Sequence, residues 1–140
     1  MSERKRVLFV CTGNSARSQM AEGLLRHLGG DRFEVFSAGT IATFVRPQAI
    51  SAMNELGIDI SHHRSKSVDD LLSENFDYVI TVCDHATQHC PNFPGAVKRV
   101  HWSIDDPVGS GSETSELAAF GRARDELRSL IGDFIAEIKA

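Results

Sequence analysis

Val7-Leu8-Phe9-Val10-Cys11-Thr12-Gly13-Asn14-Ser15-Ala16-Arg17-Ser18 decides the fold. Four apolar residues in a row read as a buried strand. From Gln19 to Leu28, Met20, Ala21, Leu24, Leu25 and Leu28 recur at helical spacing until Gly29-Gly30 stops them. A strand that turns through a short glycine-containing loop into a helix offers an anion free backbone N–H groups and the positive end of a helix dipole. The pattern C-x5-R adds Cys11 and Arg17 to that loop. The guanidinium can hold two oxygens of a tetrahedral oxyanion and favours a thiolate beside it. Cys11 therefore reads as a nucleophile, with Thr12, Gly13, Asn14, Ser15, Ala16, Arg17 and Ser18 as the substrate cradle. The Ser18 hydroxyl is placed to hydrogen-bond the sulfur. A lone cysteine would read as a small buried hydrophobe; the full set between strand and helix is what argues for chemistry. No Gly-Lys-Ser/Thr occurs, so the loop is not a Walker loop.

Outward from the cradle the unit repeats. Phe33 to Ser37 reads as a second strand ended by Ala38-Gly39, and Pro47 opens a helix carrying Ile50, Met53 and Leu56 before Gly57 closes it. Ile58 to Ser67 is a polar connector, Val68 to Glu74 a short helix, and Tyr78 to Val82 a third strand running into Cys83. Asp84 to Lys98, with two prolines and a glycine, reads as irregular and mobile. Arg99 to Trp102 is a short fourth strand, followed by Asp105-Asp106-Pro107, a Gly/Ser-rich run and a last helix. Leu117, Phe120, Leu127, Leu130, Ile131, Phe134 and Ile138 share one face of that helix and belong to the core. Strands alternating with helices predict an α/β fold, a parallel sheet with helices on both faces, and ligands at the carboxyl ends of the strands. Cys11, Cys83 and the Asp105-Asp106 loop all fall on that edge.

Composition bounds the rest. A chain of 140 residues, 41% hydrophobic and 24% charged, is the size of one globular domain spanning 1–140 and able to bury its own core. No apolar run approaches the roughly 20 residues of a bilayer span, so no membrane association is expected. The charged start Met1-Ser2-Glu3-Arg4-Lys5-Arg6 has no signal-peptide character, which predicts the reducing cytoplasm. A net charge of −4 with no basic block argues against nucleic acid. A monomer is expected. Three unevenly spaced cysteines form neither a disulfide framework nor a zinc site.

Asp106 lies before Pro107 in a loop expected to overhang the cradle, where a protonated carboxyl can give its proton to a leaving oxygen; alone it would be a turn aspartate. Asp105 is the less favoured candidate. Cys83 and Cys90 are seven positions apart, a span that can fold back to bring two sulfurs together. With Cys83 on the same edge as Cys11, a thiol relay from Cys11 through Cys83 to Cys90 is open. His62, His63, His85 and His89 match no metal-ligand spacing and read as exposed loop histidines; no metal and no cofactor are assigned.

These residues together resemble the thioredoxin-coupled arsenate reductases of the low-molecular-weight protein tyrosine phosphatase superfamily. The motifs are Cys11 to Gly23, Ser37-Ala38-Gly39, Thr81-Val82-Cys83 with Cys90-Pro91, and His101-Trp102 with Asp105-Asp106-Pro107. The resemblance runs from Val7 to the last helix. It implies a three-layer αβα fold with a four-stranded parallel sheet. It also implies arsenate as substrate, a Cys11–arsenic adduct, then a Cys11–Cys83 and finally a Cys83–Cys90 disulfide reduced by thioredoxin. Some of these reductases hold a potassium ion beside the cradle, where Asn14, Glu22 and Ser37 match. The family's threonine and aspartate are here Arg64 and Lys66, so Lys66 is expected to take the ion's place and activity to be independent of potassium. The phosphatases of the superfamily carry tyrosine after the Asp-Pro pair. Val108-Gly109 stand there instead, leaving no aromatic wall at that point, so hydrolysis of phosphate esters is the second reading. A non-enzymatic oxyanion-binding or redox-sensing module is the third.

Overall fold

Val7, Leu8, Phe9 and Val10 have no solvent exposure on either side of the chain, as expected for a central parallel strand covered on both faces. In this computed structural model residues 4–95, 97–109 and 111–139 are described, with the backbone alone at Asp84, His85, Thr87 and Lys139. Residues 1–3 of the charged start and Ser110 of the Gly/Ser-rich run lie outside them. The elements are β1 (Lys5–Cys11), α1 (Arg17–Gly29), β2 (Phe33–Gly39), α2 (Pro47–Asn54), β3 (Tyr78–Thr81), α3 (Asp84–His89), β4 (Lys98–His101) and α4 (Glu113–Lys139). Short 3-10 turns occupy Gly30–Arg32 and Val68–Leu71.

The four strands form a parallel sheet in the order β2-β1-β3-β4, the α/β architecture expected. Alternation along β2 sends Phe33 and Phe36 to opposite faces. Phe33 meets Phe134 of α4 with ring centroids 5.9 Å apart, on the side where α1, α2 and α4 pack together. Phe36 meets Phe76 edge-on at 5.3 Å, and Phe76 meets Phe93 at 5.3 Å, covering the other side. The result is the three-layer αβα arrangement.

On α4, Phe120, Leu127, Ile131 and Phe134 are buried as predicted, whereas Leu117 is 42% exposed. The first turn is held by polar contacts instead: Glu116 accepts from the Gly109 amide at 2.8 Å and from Gln48 Nε2 at 2.7 Å. A second departure concerns Asp84–His89, expected to be irregular and in fact helical. Its DHATQH sequence has neither glycine nor proline; the chain breaks only after it, at Cys90-Pro91.

The register aligns the chemistry. Cys11 ends β1 opposite Gly39 at the end of β2, and the Val82 amide donates to Val10 O at 2.9 Å, so Cys83 follows on the same edge. Gly39 is pressed against the cradle: an added Cβ would lie 2.6 Å from Asn14 N, 2.6 Å from Ile41 O and 2.7 Å from Thr12 O. Only glycine allows that approach.

Candidate active site

The cradle is held from outside by its carbonyls. Cys11 O and Thr12 O accept from the amides of Thr40 (3.1 Å) and Ile41 (3.0 Å), Gly13 O from the hydroxyls of Thr43 (2.7 Å) and Ser65 (3.0 Å), and Ser15 O from the Arg46 amide (2.9 Å). With its oxygens committed outward, the loop has N–H to offer inward, as an anion requires.

One chain of hydrogen bonds runs behind the nucleophile. Asn14 sits in the left-handed region with φ 48°, which asparagine tolerates, and is fully buried. Its Oδ1 accepts from the Lys66 amide at 2.7 Å, which fixes the orientation of the side-chain amide, so Nδ2 donates to Ser18 Oγ (2.8 Å) and Ser37 Oγ (3.0 Å). Each hydroxyl, having accepted, still has its own proton to give. Ser37 donates to Glu22 Oε1 at 2.5 Å, and Ser18 faces Cys11 Sγ at 2.8 Å. Once ionised, the buried Cys11 sulfur can only accept, and the Ser18 hydroxyl is the group placed to meet it.

A hollow of about 120 Å3 opens over Cys11, bordered by Arg17, Arg46, Asp106 and Val108. It suits one small oxyanion and is well below the roughly 300–1,000 Å3 of sites for larger organic ligands. A groove of about 740 Å3 runs from Lys98 along β4 to Trp102, against Phe134 and Ile138 of α4, and none of the three cysteines lines it. Arg17 is braced by donating to Ile104 O at 2.9 Å, and its other terminal nitrogen is 3.8 Å from Asp106 Oδ2. Asp106 Oδ1 accepts from the Val108 amide at 3.0 Å, leaving the carboxyl 59% exposed at the mouth.

Cys83 is buried against the cradle, its sulfur 3.3 Å from Thr12 Oγ1. Cys90 is half-buried at the far end of α3. Burial pushes its thiol up, opposed by the Arg99 guanidinium. Cys11, Arg17, Asp106 and Cys83 are thus gathered at one edge, while Cys90 is held off by the helix.

Glu22 was expected beside Lys66. Its direct cationic partner is Arg26, with Nη2 2.5 Å from Oε2, while Lys66 Nζ donates to Arg64 O at 2.7 Å. Burial lowers the Lys66 ammonium, with Glu22 opposing and Arg64 and Arg26 adding to the lowering. A potassium ion would need oxygens from this set. Asn14 Oδ1 and Arg64 O each accept two protein hydrogens, and only the two Glu22 oxygens, one of them held by the Arg26 guanidinium, keep a free lone pair, too few ligands in this set for the ion.

The reading of His63 as an exposed loop residue is corrected: its side chain is 4% exposed. Gln19 donates through Nε2 to Asn14 O, Asn14 Oδ1 and Arg64 O, so its Oε1 accepts from His63 Nδ1 at 2.9 Å. Arg26 can only donate, so His63 Nε2 accepts at 3.1 Å and the ring is the neutral Nδ1–H tautomer. Gln19, His63 and Arg46 were missed as site residues. The signals were a polar residue within a buried helical stripe, and an arginine just before the proline that opens α2.

The family model for low molecular weight phosphotyrosine protein phosphatases matches residues 6–140. An arsenate reductase of Bacillus subtilis (strain 168) is 45% identical over 133 residues, 94% of this chain and 96% of that one. A Bacillus cereus (strain 03BB102) arsenate reductase is 46% identical over 134 residues, 96% of each. Among solved structures, an arsenate reductase in its oxidized state superposes with a TM-score of 0.83 at 34% identity, over 96% of this chain and 98% of that one. A low molecular weight protein tyrosine phosphatase from T. tengcongensis gives 0.77 at 32% identity, over 95% and 99%.

Proposed function

As a member of the low molecular weight phosphotyrosine protein phosphatase family, the chain has a cradle built for a tetrahedral oxyanion, and we propose that it reduces arsenate to arsenite. The observation that carries this over hydrolysis is the burial of Cys83 against the cradle, 3.3 Å from Thr12 Oγ1. Hydrolysis needs one nucleophile and water; a second thiol at the same loop serves electron transfer.

Arsenate is held by the loop amides and Arg17, with Thr12, Gly13, Asn14, Ser15, Ala16 and Ser18 shaping the seat. The Cys11 thiolate attacks arsenic, and the departing oxygen takes a proton from Asp106 and leaves as water. Cys83 then attacks Cys11 Sγ. The sulfur–arsenic bond breaks with its electron pair on arsenic, so As(V) becomes As(III), arsenite leaves, and the two thiols become a disulfide. Cys90 attacks Cys83 next, freeing Cys11 and leaving a Cys83–Cys90 disulfide. Across α3 these Cα atoms are roughly 10 Å apart at helical rise, and a disulfide spans at most about 7 Å, so α3 must unwind for this bond to form. Unwinding also brings the disulfide to a dithiol reductant, which we assign to the thioredoxin class. The site is complete within one chain, consistent with a working monomer in the reducing cytoplasm. Among the described residues no helix is long and apolar enough to cross a membrane.

The test is arsenite release from fully reduced protein given arsenate and no other reductant. Wild type should yield one equivalent per chain with a Cys83–Cys90 disulfide found by peptide mapping, and Cys90→Ser should stop at Cys11–Cys83. No arsenite, with turnover of phenyl phosphate, would establish a phosphatase instead.

A further inference from the structure

Arg46 stands at the mouth of the same hollow as Cys11 and Arg17, at the N-cap of α2, with its amide tied to Ser15 O of the cradle at 2.9 Å. Its guanidinium lies 5.1 Å from the centre of the Phe44 ring. Among the described residues two buried polar side-chain atoms lack a hydrogen-bond partner, Arg46 Nε and Gln48 Oε1, and of these two residues only Arg46 borders the hollow. No carboxylate among the described residues pairs with Arg46, unlike Arg17, which faces Asp106. A buried guanidinium N–H without an acceptor is unusual enough to need an explanation, and an oxyanion seated over Cys11 supplies the missing acceptor.

We propose that Arg46 is a second substrate-binding guanidinium, its Nε–H donating to an oxygen of the bound oxyanion. This rests on reading the cradle as an oxyanion site. Arg17, anchored to the Ile104 carbonyl and facing Asp106, has part of its donor set committed. A second fixed cation answers the second negative charge of a fully ionised arsenate or phosphate. Stacking on Phe44 and the backbone tie to Ser15 hold Arg46 in place before the anion arrives, so little ordering is needed on binding.

The probe is inorganic phosphate, which requires no redox step. The full reduced chain is treated with iodoacetamide at increasing phosphate, and Cys11 modification is followed by peptide mass spectrometry. Losing a charge-assisted hydrogen bond should raise the phosphate concentration for half-protection roughly 10- to 100-fold in Arg46→Gln and Arg46→Met. Arg46→Lys, which keeps the charge but not the planar fork, should recover part of that loss. Modification without phosphate should change much less, a split that loss of structure would not produce. Half-protection within threefold of wild type in both neutral variants overturns the inference. If Arg46 variants lose phosphate while wild type makes no arsenite, the inference stands and the reductase reading falls. If phosphate fails to protect Cys11 in wild type, both fall.

Discussion

Ser18 Oγ lies 2.8 Å from Cys11 Sγ while accepting the Asn14 side-chain amide at 2.8 Å. A thiolate can only accept, so in the reactive state the one proton of the serine is directed at the sulfur. Ser18→Ala should slow attack on arsenate, and alkylation of Cys11 at fixed neutral pH, by roughly tenfold, since a hydrogen bond to a charged group contributes about 1.5–3 kcal/mol. Asn14→Ala frees the same hydroxyl to turn elsewhere and should act in the same direction. Alkylation unchanged in both variants would show that the serine does not serve the thiolate.

Cys90 is separated from Cys83 by α3 and its thiol is pushed up by burial. Attack needs the thiolate, so formation of the Cys83–Cys90 disulfide should quicken by about tenfold per pH unit from pH 7 to 8, below the raised value. The helix must be lost in the product. Amides of Ala86 to His89 should exchange with deuterium faster in the oxidised protein than in the reduced one; equal protection in both states would contradict the unwinding step.

The strand–cradle–helix unit and the sheet could be read from sequence because each is a local pattern: four apolar residues, C-x5-R, a proline that opens a helix. What stayed hidden depended on contacts distant in sequence. Gln19 reaches Arg64, and Arg26 reaches His63, across a connector whose own residues look merely polar. α3 was missed for a different reason: six residues carry too little periodicity to compete with the prolines and glycine that follow.

His63 is held neutral between Arg26 and Gln19, its basicity lowered by burial. Glu22 opposes that lowering, while Arg26, His62 and Lys66 reinforce it. The unfolded chain takes up this proton near pH 6.5, before the folded one does. Stability is therefore complete above pH 6.5 and falls as pH drops below it, by about 1.4 kcal/mol per unit until the folded state also protonates. His63→Gln removes this component. Urea melts at pH 7.5, 6.5 and 5.5 should show a smaller acid loss in the variant; parallel losses would assign the effect to other groups.

Potassium should have no effect on this chain. The oxygens that would hold it are occupied by hydrogens of Arg26, Ser37, Lys66 and Gln19, and two fixed cations already lie around Glu22. Removing them would leave Glu22 buried and unpaired, the condition under which a monovalent cation gains most. Rates of arsenite formation in potassium, sodium and choline chloride at equal ionic strength should agree within about twofold for wild type, since bulk salt screens all sites alike. Lys66→Asp exchanges a cation for a carboxylate one residue from Ser65, whose hydroxyl holds Gly13 O at 3.0 Å. The new carboxylate and the Arg64 O that Lys66 Nζ releases are ligands the wild-type chain does not offer, so that variant should lose activity in choline and regain it with potassium. If it responds to no cation, Lys66 is not what makes the ion dispensable, and the Arg26–Glu22 pair together with the hydrogens of Ser37, Gln19 and the residue 66 amide is left as the source of that independence.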